Sequence, residues 1–461
     1  FLQTEADLND LVIAEDMVIK RARSTVTALF KDFDPWDITP KHGPGSTATG
    51  EKFERKWWFK RHYAQIHSTY PFYTYFVASR RNFLRVQRVK DYRSRDRLLS
   101  GEARVCLVDK DSRGPRLISL EPLEYQYIQQ GLGRAIMAHL ESHFITRGRV
   151  NFTDQTINRN AALKGSSDGS LATLDMKEAS DRVSLQLVEL LFRDVPDLLK
   201  CLLATRTPRT VLPDGRTVCM KKFAPMGSAL CFPIESIVFF ALCKAIIETN
   251  GTSADQLRVY GDDLIVPQNV ALPVMARLPI YGLKVNTDKS FTDGPFRESC
   301  GMDAVLGIQV TPARWRKPWP KSKWDGKRVA ALVDLVNRFY MSGFWSTCSY
   351  LEAKLSRFFQ DLPAVGFANH TGALGFVRVT AQRGGPLYNR NGNVRVRWNE
   401  SLQRLETRVW CCEPKLRKTE LWGDQRLHAH LCEQYTSSHA VSQAATKLKR
   451  RWLCAHALVN N

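Results

Sequence analysis

Between residues 105 and 310 the chain alternates short apolar runs of strand length with stretches of helical periodicity. That is the pattern of a domain mixing sheet and helix around one core. Leu171-Ala-Thr-Leu-Asp175 is an apolar run ending on a carboxylate, and the stripe Val183, Leu187, Leu190 and Leu191 behind it predicts one helix. Residues 257–259 and 264–266 are mostly aliphatic and flank Tyr260-Gly261-Asp262-Asp263, which predicts a hairpin with both acids at its tip. Residues 229–247 form the most apolar stretch, interrupted by Pro233, Glu235 and Lys244. Those three argue against a membrane span and for a buried helix.

The flanks read differently. Residues 1–105 mix amphipathic patches with basic aromatic runs such as KFERKWWFKRH at 52–62. After Thr311 the composition turns to Trp, Lys and Arg, followed by mostly helical patterns. Residues 383–399 predict turns around a short hairpin bending at Asn391-Gly392-Asn393. Residues 437–458 predict a helix with a basic patch at Lys447, Lys449, Arg450 and Arg451. The expected division is therefore 1–105, 106–310 and 311–461. The opening at Phe1, followed by polar and acidic residues, is no secretory leader and reads as an N-terminus with its beginning missing.

Composition narrows the function. With 44% hydrophobic and 25% charged residues, the 461-residue chain is globular. Its formal net charge of +21 points to a polyanionic partner, most commonly nucleic acid. Eleven cysteines without a C-x-x-C pair argue against a disulfide framework and for a reducing compartment. The group Cys411, Cys412, His428, His430 and Cys432 matches no standard zinc spacing and reads as scattered thiols and surface histidines.

The acids carry the chemistry. Asp and Gly are ordinary turn formers, but two adjacent carboxylates repel each other, and a divalent cation relieves that repulsion. Asp175 at a strand end could be only a helix cap; beside the hairpin tip it completes a set of three hard oxygen ligands. Three carboxylates sharing two ions are what phosphoryl transfer to a hydroxyl requires.

Asp175 with Asp181 six residues on, Met226-Gly227-Ser228 opening an apolar helix, and Tyr-Gly-Asp-Asp resemble motifs A, B and C of viral RNA polymerases. The stretches DQTIN at 154–158, LATLDMKEASD at 171–181 and NTDKSFTDGPFRESCG at 286–301 resemble the replicase beta subunit of the RNA bacteriophages, the leviviruses. The resemblance runs from about Val105 to Thr311 and fades on either side. It implies an α+β, right-hand polymerase with an antiparallel palm sheet, fingers from the N-terminal and inserted segments, and a helical thumb after Thr311. The implied enzyme is an RNA-directed RNA polymerase, a nucleotidyltransferase using two Mg²⁺ ions, with Mn²⁺ as a substitute. Its implied metal ligands are Asp175, Asp262 and Asp263.

By the same resemblance Asp181 helps read the ribose 2′-hydroxyl, where the plainer account is an acid favouring a helix dipole. Gly227 and Ser228 form a loop touching template or ribose. Lys110, Arg113 and Arg116 resemble the cations that clamp the incoming triphosphate, with Arg116 the strongest of the three. Lys289 protonates the departing pyrophosphate. The chain departs from the pattern at one point: many RNA polymerases carry a sugar-sorting Asn in the motif B helix, but none lies between Gly227 and Ile247, and Glu235 is the only acid there. His42-Gly-Pro-Gly-Ser-Thr47 resembles a small glycine-rich element of the same enzymes. The resemblance also implies RNA template and product, ribonucleoside triphosphates, and host translation proteins (elongation factors and a ribosomal protein) as partners. It places the work in the cytoplasm of a bacterial host, with no membrane.

Beyond the core, Arg314, Trp315, Arg316, Lys317, Lys321 and Lys323 interleave cations with indoles, which suits phosphate neutralisation and base stacking. Three other readings stand beside this one. A reverse transcriptase uses a similar hairpin, although Gly261 and the Asp175/Asp181 pair favour RNA synthesis. A eukaryotic relative of the phage enzymes shares the chemistry with another host. A basic RNA-packaging protein would need none of the acids.

Overall fold

The computed structural model describes residues 1–51, 55–78, 92–111, 114–315, 317–322, 324–359, 362–366, 373–378, 395–418, 423–431 and 439–454. They divide into two compact units, one of residues 1–311 with 421–436 and one of residues 312–420 with 437–461. The class is α+β.

The first unit begins with helices α1 (Leu2–Asn9) and α2 (Met17–Phe30). Asp16 caps α2 by accepting from the Ile19 N–H at 2.9 Å, and Val18, Ile19, Ala22, Val26 and Leu29 form its buried stripe. Strands β1 (Glu102–Asp111) and β2 (Gly114–Leu120) pair antiparallel. Helices α3 (Leu123–Ser142) and α4 (Thr156–Asp168) then lead to strand β3 (Leu171–Lys177). Here the sequence reading is corrected twice. Asp175 does not end its strand, which runs on to Lys177 before the chain reverses at Glu178, left-handed with φ 57°. The single helix expected behind it is two, α5 (Ala179–Arg182) and α6 (Leu185–Phe192), broken at Val183 and restarted by Ser184, whose side chain accepts from the Leu187 N–H. A side chain that can cap competes with helix continuation.

Strands β4 (Arg209–Val211) and β5 (Thr217–Cys219) extend the first sheet, in the order β2–β1–β4–β5. Helix α7 (Cys231–Thr249) is the apolar stretch of the sequence, buried on nearly every side. It starts at Cys231, after a turn, and not at Met226-Gly227-Ser228 as the sequence suggested. Pro233 stands at its third position, where the missing N–H would have had no helical acceptor. Strands β6 (Arg258–Tyr260), β7 (Asp263–Pro267) and β8 (Lys284–Val285) complete an antiparallel sheet in the order β8–β3–β7–β6. The hairpin β9 (Phe296–Ser299) and β10 (Met302–Val305) follows. Among the described residues, no helix is long and apolar enough to cross a membrane.

Ala172, Leu174 and Met176 of β3 join Val259, Leu264, Val266 and the apolar side chains of α7 in the main core. Leu171 and Ile265 point the other way and pack with Ala162, Met302 and Ala304. Asp175 lies four residues beyond Leu171, so strand alternation puts it on this second face.

The second unit packs helices α8 (Gly326–Met341) and α9 (Trp345–Leu355) through Val329, Leu332, Val336, Cys348, Leu351 and Leu355. It is not the helical region the sequence predicted. Strands β11 (Val396–Asn399), β12 (Arg404–Lys418) and β13 (His439–Cys454) form an antiparallel sheet. The expected C-terminal helix is thus a strand, paired from Cys454 against Glu406 to His439 against Lys418. The predicted bend at 391–393 lies outside the described residues; the hairpin that is described joins Asn399 to Arg404.

Candidate active site

The hairpin β6–β7 turns through Gly261, at φ 60°, and Asp262. Phe232, in the first turn of α7, lies so close that a Cβ on Gly261 would stand 2.3 Å from its ring. The acidic tip therefore rests on the start of the buried helix. Asp263 opens β7 as the direct ladder partner of Asp175. Antiparallel partners point to one face with Cα atoms about 4.5–5.5 Å apart, so the sheet register brings the distant acid to the hairpin.

Each carboxylate is oriented by neighbours. The Asn286 side-chain amide donates to Asp175 Oδ2 at 2.6 Å, and its backbone N–H donates to the Asp175 carbonyl at 2.8 Å. The Asp175 N–H donates to Ser290 Oγ at 3.1 Å. Cys300 N–H donates to Asp263 Oδ2 at 3.2 Å, and Asn158 Nδ2 to the Asp263 carbonyl at 3.3 Å. Sequence reading missed the roles of Asn286, Ser290 and Cys300. Their only signal was their place in the 286–301 stretch, because which short polar side chain meets which acid depends on the fold.

Burial, then the charges of Asp262 and Asp175, push Asp263 up to about 7. Asp262 reaches solvent at the turn, yet crowding by protein atoms leads its upward shift, with Asp175 adding repulsion. The charges of Arg116 and Lys289 oppose that shift. Three hard-oxygen groups whose mutual repulsion these cations and donors only partly offset fit a divalent cation by chemistry. Among the described residues, no three His, Cys, Asp or Glu side chains stand together as a preformed metal cage; Asp175 and Asp263 are turned toward Asn286 and Cys300.

Arg116 is exposed on β2, and the strand is locked to the loop before α7. Ser119 N–H donates to the Met226 carbonyl at 2.8 Å. Gly227 has φ 120°, and a Cβ there would meet the Ser119 carbonyl at 2.0 Å, so only glycine lets the two backbones approach. Ser228 is buried, its Oγ accepting from the Leu230 N–H at 3.3 Å. Asp181 is held by Lys222 Nζ at 2.6 Å; this fully buried ammonium also pairs with Glu5 at 3.2 Å. Neither Lys222 nor Glu5 was singled out in the sequence, since 216 residues separate Lys221, which also reaches Glu5, from that acid.

The other expected residues lie apart or outside the described set. Arg113, Arg316 and Lys323 are outside the described residues, as is the side chain of Lys110, although its backbone lies in β1. In the second unit Arg314, Trp315, Lys317 and Lys321 are exposed, and Trp315 lies 5.9 Å from Trp319, ring to ring. Of the Cys/His group, Cys411 and Cys412 are on β12, and His428 bonds the Tyr127 hydroxyl at 2.9 Å in the first unit. Cys432 is outside the described residues. In the glycine-rich element, Lys56 donates to the carbonyls of Gly43 and Gly45 at 2.6 Å each, so a cation already fills that cradle.

Comparison with known proteins follows the same lines. The model of a family described as RNA replicase, beta-chain, matches residues 2–456. The RNA-directed RNA polymerase subunit beta of Qbeta virus (strain MX1) is 34% identical over 263 residues, 55% of this chain and 42% of that protein. The corresponding beta chain of Escherichia phage MS2 is 37% identical over 222 residues, 48% of this chain and 39% of that protein. The matched stretch thus spans about two-fifths of these relatives' length. Among solved structures, the RNA-dependent RNA polymerase of a human picorbirnavirus aligns with 76% of this chain and 72% of that one, at 12% identity and a TM-score of 0.44.

Proposed function

This chain belongs to the RNA replicase beta-chain family, and from that premise we propose that it is the catalytic part of a viral RNA-directed RNA polymerase. The reaction is transfer of a nucleotidyl group from a ribonucleoside triphosphate to an RNA 3′-end, directed by an RNA template and releasing pyrophosphate. The observation that carries the reading is the ladder pairing of Asp175 with Asp263, with Asp262 adjacent in the turn. In this reading the sheet β8–β3–β7–β6 is the palm, residues 1–105 and the β1–β2 hairpin contribute fingers, and the region after Thr311 is the thumb.

Asp175, Asp262 and Asp263 would hold Mg²⁺, two ions by the family's chemistry with Mn²⁺ as substitute, supplying Lewis acidity at the 3′-hydroxyl and charge neutralisation at the triphosphate. Asn286 and Ser290 fix the Asp175 strand for that task. Arg116 offers a planar fork to phosphate oxygens. Lys289, exposed, gives a proton to the departing pyrophosphate. Gly227 and Ser228 shape the loop under the template and ribose, and Asp181, held by Lys222, borders the sugar. The basic segment from Arg314 to Lys323 grips the RNA backbone. Host translation proteins act as further subunits in the cytoplasm of a bacterial host.

The test is Mg²⁺-dependent incorporation of labelled ribonucleotides on a generic RNA. We expect Asp175→Ala and Asp262→Asn to lose about 10³-fold or more of the rate, as enzymes do when charge-stabilising groups are removed, while folding and RNA binding persist. Full synthesis by Asp262→Asn would favour a non-catalytic RNA-packaging protein.

A further inference from the structure

The stretch DQTIN at 154–158, continued by Arg159, leads into α4. Asp154 makes the entry turn by accepting from the Thr156 N–H at 2.8 Å, and both of these residues are exposed. Gln155, Asn158 and Arg159 stand at positions i, i+3 and i+4 and so share one helix face. All three meet the acidic site. Gln155 Nε2 donates to the Tyr260 hydroxyl at 3.2 Å, and Asn158 Nδ2 to the Asp263 carbonyl at 3.3 Å. Arg159 donates from Nε and Nη2 to the Cys300 carbonyl at 3.3 and 3.1 Å, and from Nη2 to Gln155 Oε1 at 2.7 Å. Cys300 and Gly301 are the two turn residues of β9–β10, with φ of 50° and 69°. Such a left-handed pair favours Asn-Gly, and cysteine is an uncommon choice there. Cys300 is held at both ends: its N–H donates to Asp263 Oδ2 and its carbonyl takes the Arg159 fork. Asn158 gives a second sign. It is fully buried, and its Oδ1 has no hydrogen-bond partner among the described residues. An unpaired buried acceptor is costly, so stability alone does not account for this face of α4.

We propose that Arg159 is a positioning residue for Asp263. By fixing the β9–β10 turn it keeps the Cys300 N–H on the Asp263 carboxylate, and so keeps that carboxylate aimed for a divalent cation. The inference rests on the polymerase reading and adds to it the element that sets the metal ligand's orientation. Two guanidinium donors on one carbonyl fix its direction as well as its distance. Gln155 ties the same guanidinium to Tyr260, so the hairpin that carries Asp262 and the turn that carries Cys300 are braced from a single helix face. Without the fork the turn can relax from its left-handed backbone, and Asp263 loses its main-chain donor. Groups that orient metal ligands change metal affinity or activity about 10–100-fold when they are removed.

The experiment compares the full chain with its Arg159→Ala and Arg159→Lys variants by two readouts. Mn²⁺ binding without nucleotide, followed by the electron paramagnetic resonance signal of free Mn²⁺, should weaken about 10-fold or more in Arg159→Ala. In synthesis on an RNA primer–template, kcat should fall about 10–100-fold and half-saturation by Mg²⁺ should need a higher concentration. KM for the ribonucleotides at saturating Mg²⁺ should stay within about 2-fold, because no substrate contact is removed. Arg159→Lys keeps one donor and should recover part of both losses; where the alanine variant fails to fold, the lysine variant is read instead, with a few-fold loss of Mn²⁺ affinity expected. Unchanged Mn²⁺ affinity in the variant that folds, whether or not it melts earlier, or a loss of synthesis that appears only in KM, makes Arg159 structural. Either result overturns the inference and leaves the polymerase reading intact. An unaltered protein that neither binds Mn²⁺ nor makes RNA overturns that reading and takes this one with it.

Discussion

The two compact units handle charge in opposite ways. In the first, acids are taken out of water and placed near each other: Glu121 and Glu124 are raised to about 7 by burial, and Asp263 reaches about 7 beside Asp262. In the second, Glu406 is lowered to about 2 by hydrogen bonds from Arg397 and Arg404, Arg378 pairs with Glu352, and Arg451 with Glu413. In the first unit burial outweighs the nearby guanidiniums of Arg206 and Arg61. The second sets an arginine against each of these acids. Acids crowded without a close partner are where chemistry is to be sought, and acids paired with arginine hold structure.

Glycine substitutions should break this contrast most sharply. Gly227→Ala forces a Cβ onto a backbone carbonyl at a strained φ, and we expect about 3 kcal/mol or more of lost stability together with lost synthesis. In the second unit Gly343 also has positive φ (81°), but a Cβ there meets nothing within 4 Å. It ends α8, with Gly343 N–H bonding the Tyr340 carbonyl and Phe344 N–H that of Phe339, and Gly343→Ala should cost about 1 kcal/mol. Denaturant melts of the two variants measure the difference; equal losses would deny that the first unit is the tighter of the two.

The pH dependence should differ in sign. Glu121 and Glu124 have folded values above their unfolded ones, so their contribution is complete below about pH 4.5 and is lost as pH rises through about 7. Each is worth roughly 3 kcal/mol at the alkaline end. Glu121→Gln should therefore flatten the loss of melting temperature between about pH 5 and pH 8. Glu406 has a depressed folded value, and its contribution is lost only as pH falls toward about 2. A Glu121→Gln profile parallel to that of the unaltered protein would contradict the burial argument.

The smallest effect belongs to the exposed cations. Reversing Lys317 and Lys321 together should weaken RNA binding about 10-fold near physiological salt and lower the slope of log K against log salt by about two. Stability should change by less than about 0.5 kcal/mol. Binding that is unchanged across salt concentrations removes this segment from the RNA path.

Much of the first unit was legible because its signals are local. The hairpin, its acidic tip and the buried helix each lie within a short window whose periodicity and turn residues identify them. The break between α5 and α6 was missed because Ser184 acts through a cap that competes with an unbroken apolar stripe. The C-terminal strand was missed for a different reason. Residues such as Lys449 and Arg450 favour helices only weakly, and pairing with Cys411 and Trp410, roughly forty residues away in the chain, outweighs that preference.

The amino-acid order alone thus named the candidate groups, namely the three acids, the basic residues upstream and the glycine-bearing turns, since composition and spacing are written along the chain. Only the folded molecule decided that Asn286 and Ser290 hold Asp175, that Cys300 meets Asp263, and that Lys222 joins Glu5 to Asp181. Those contacts join residues far apart in sequence, and their distances follow from sheet register and helix packing, which no local pattern encodes.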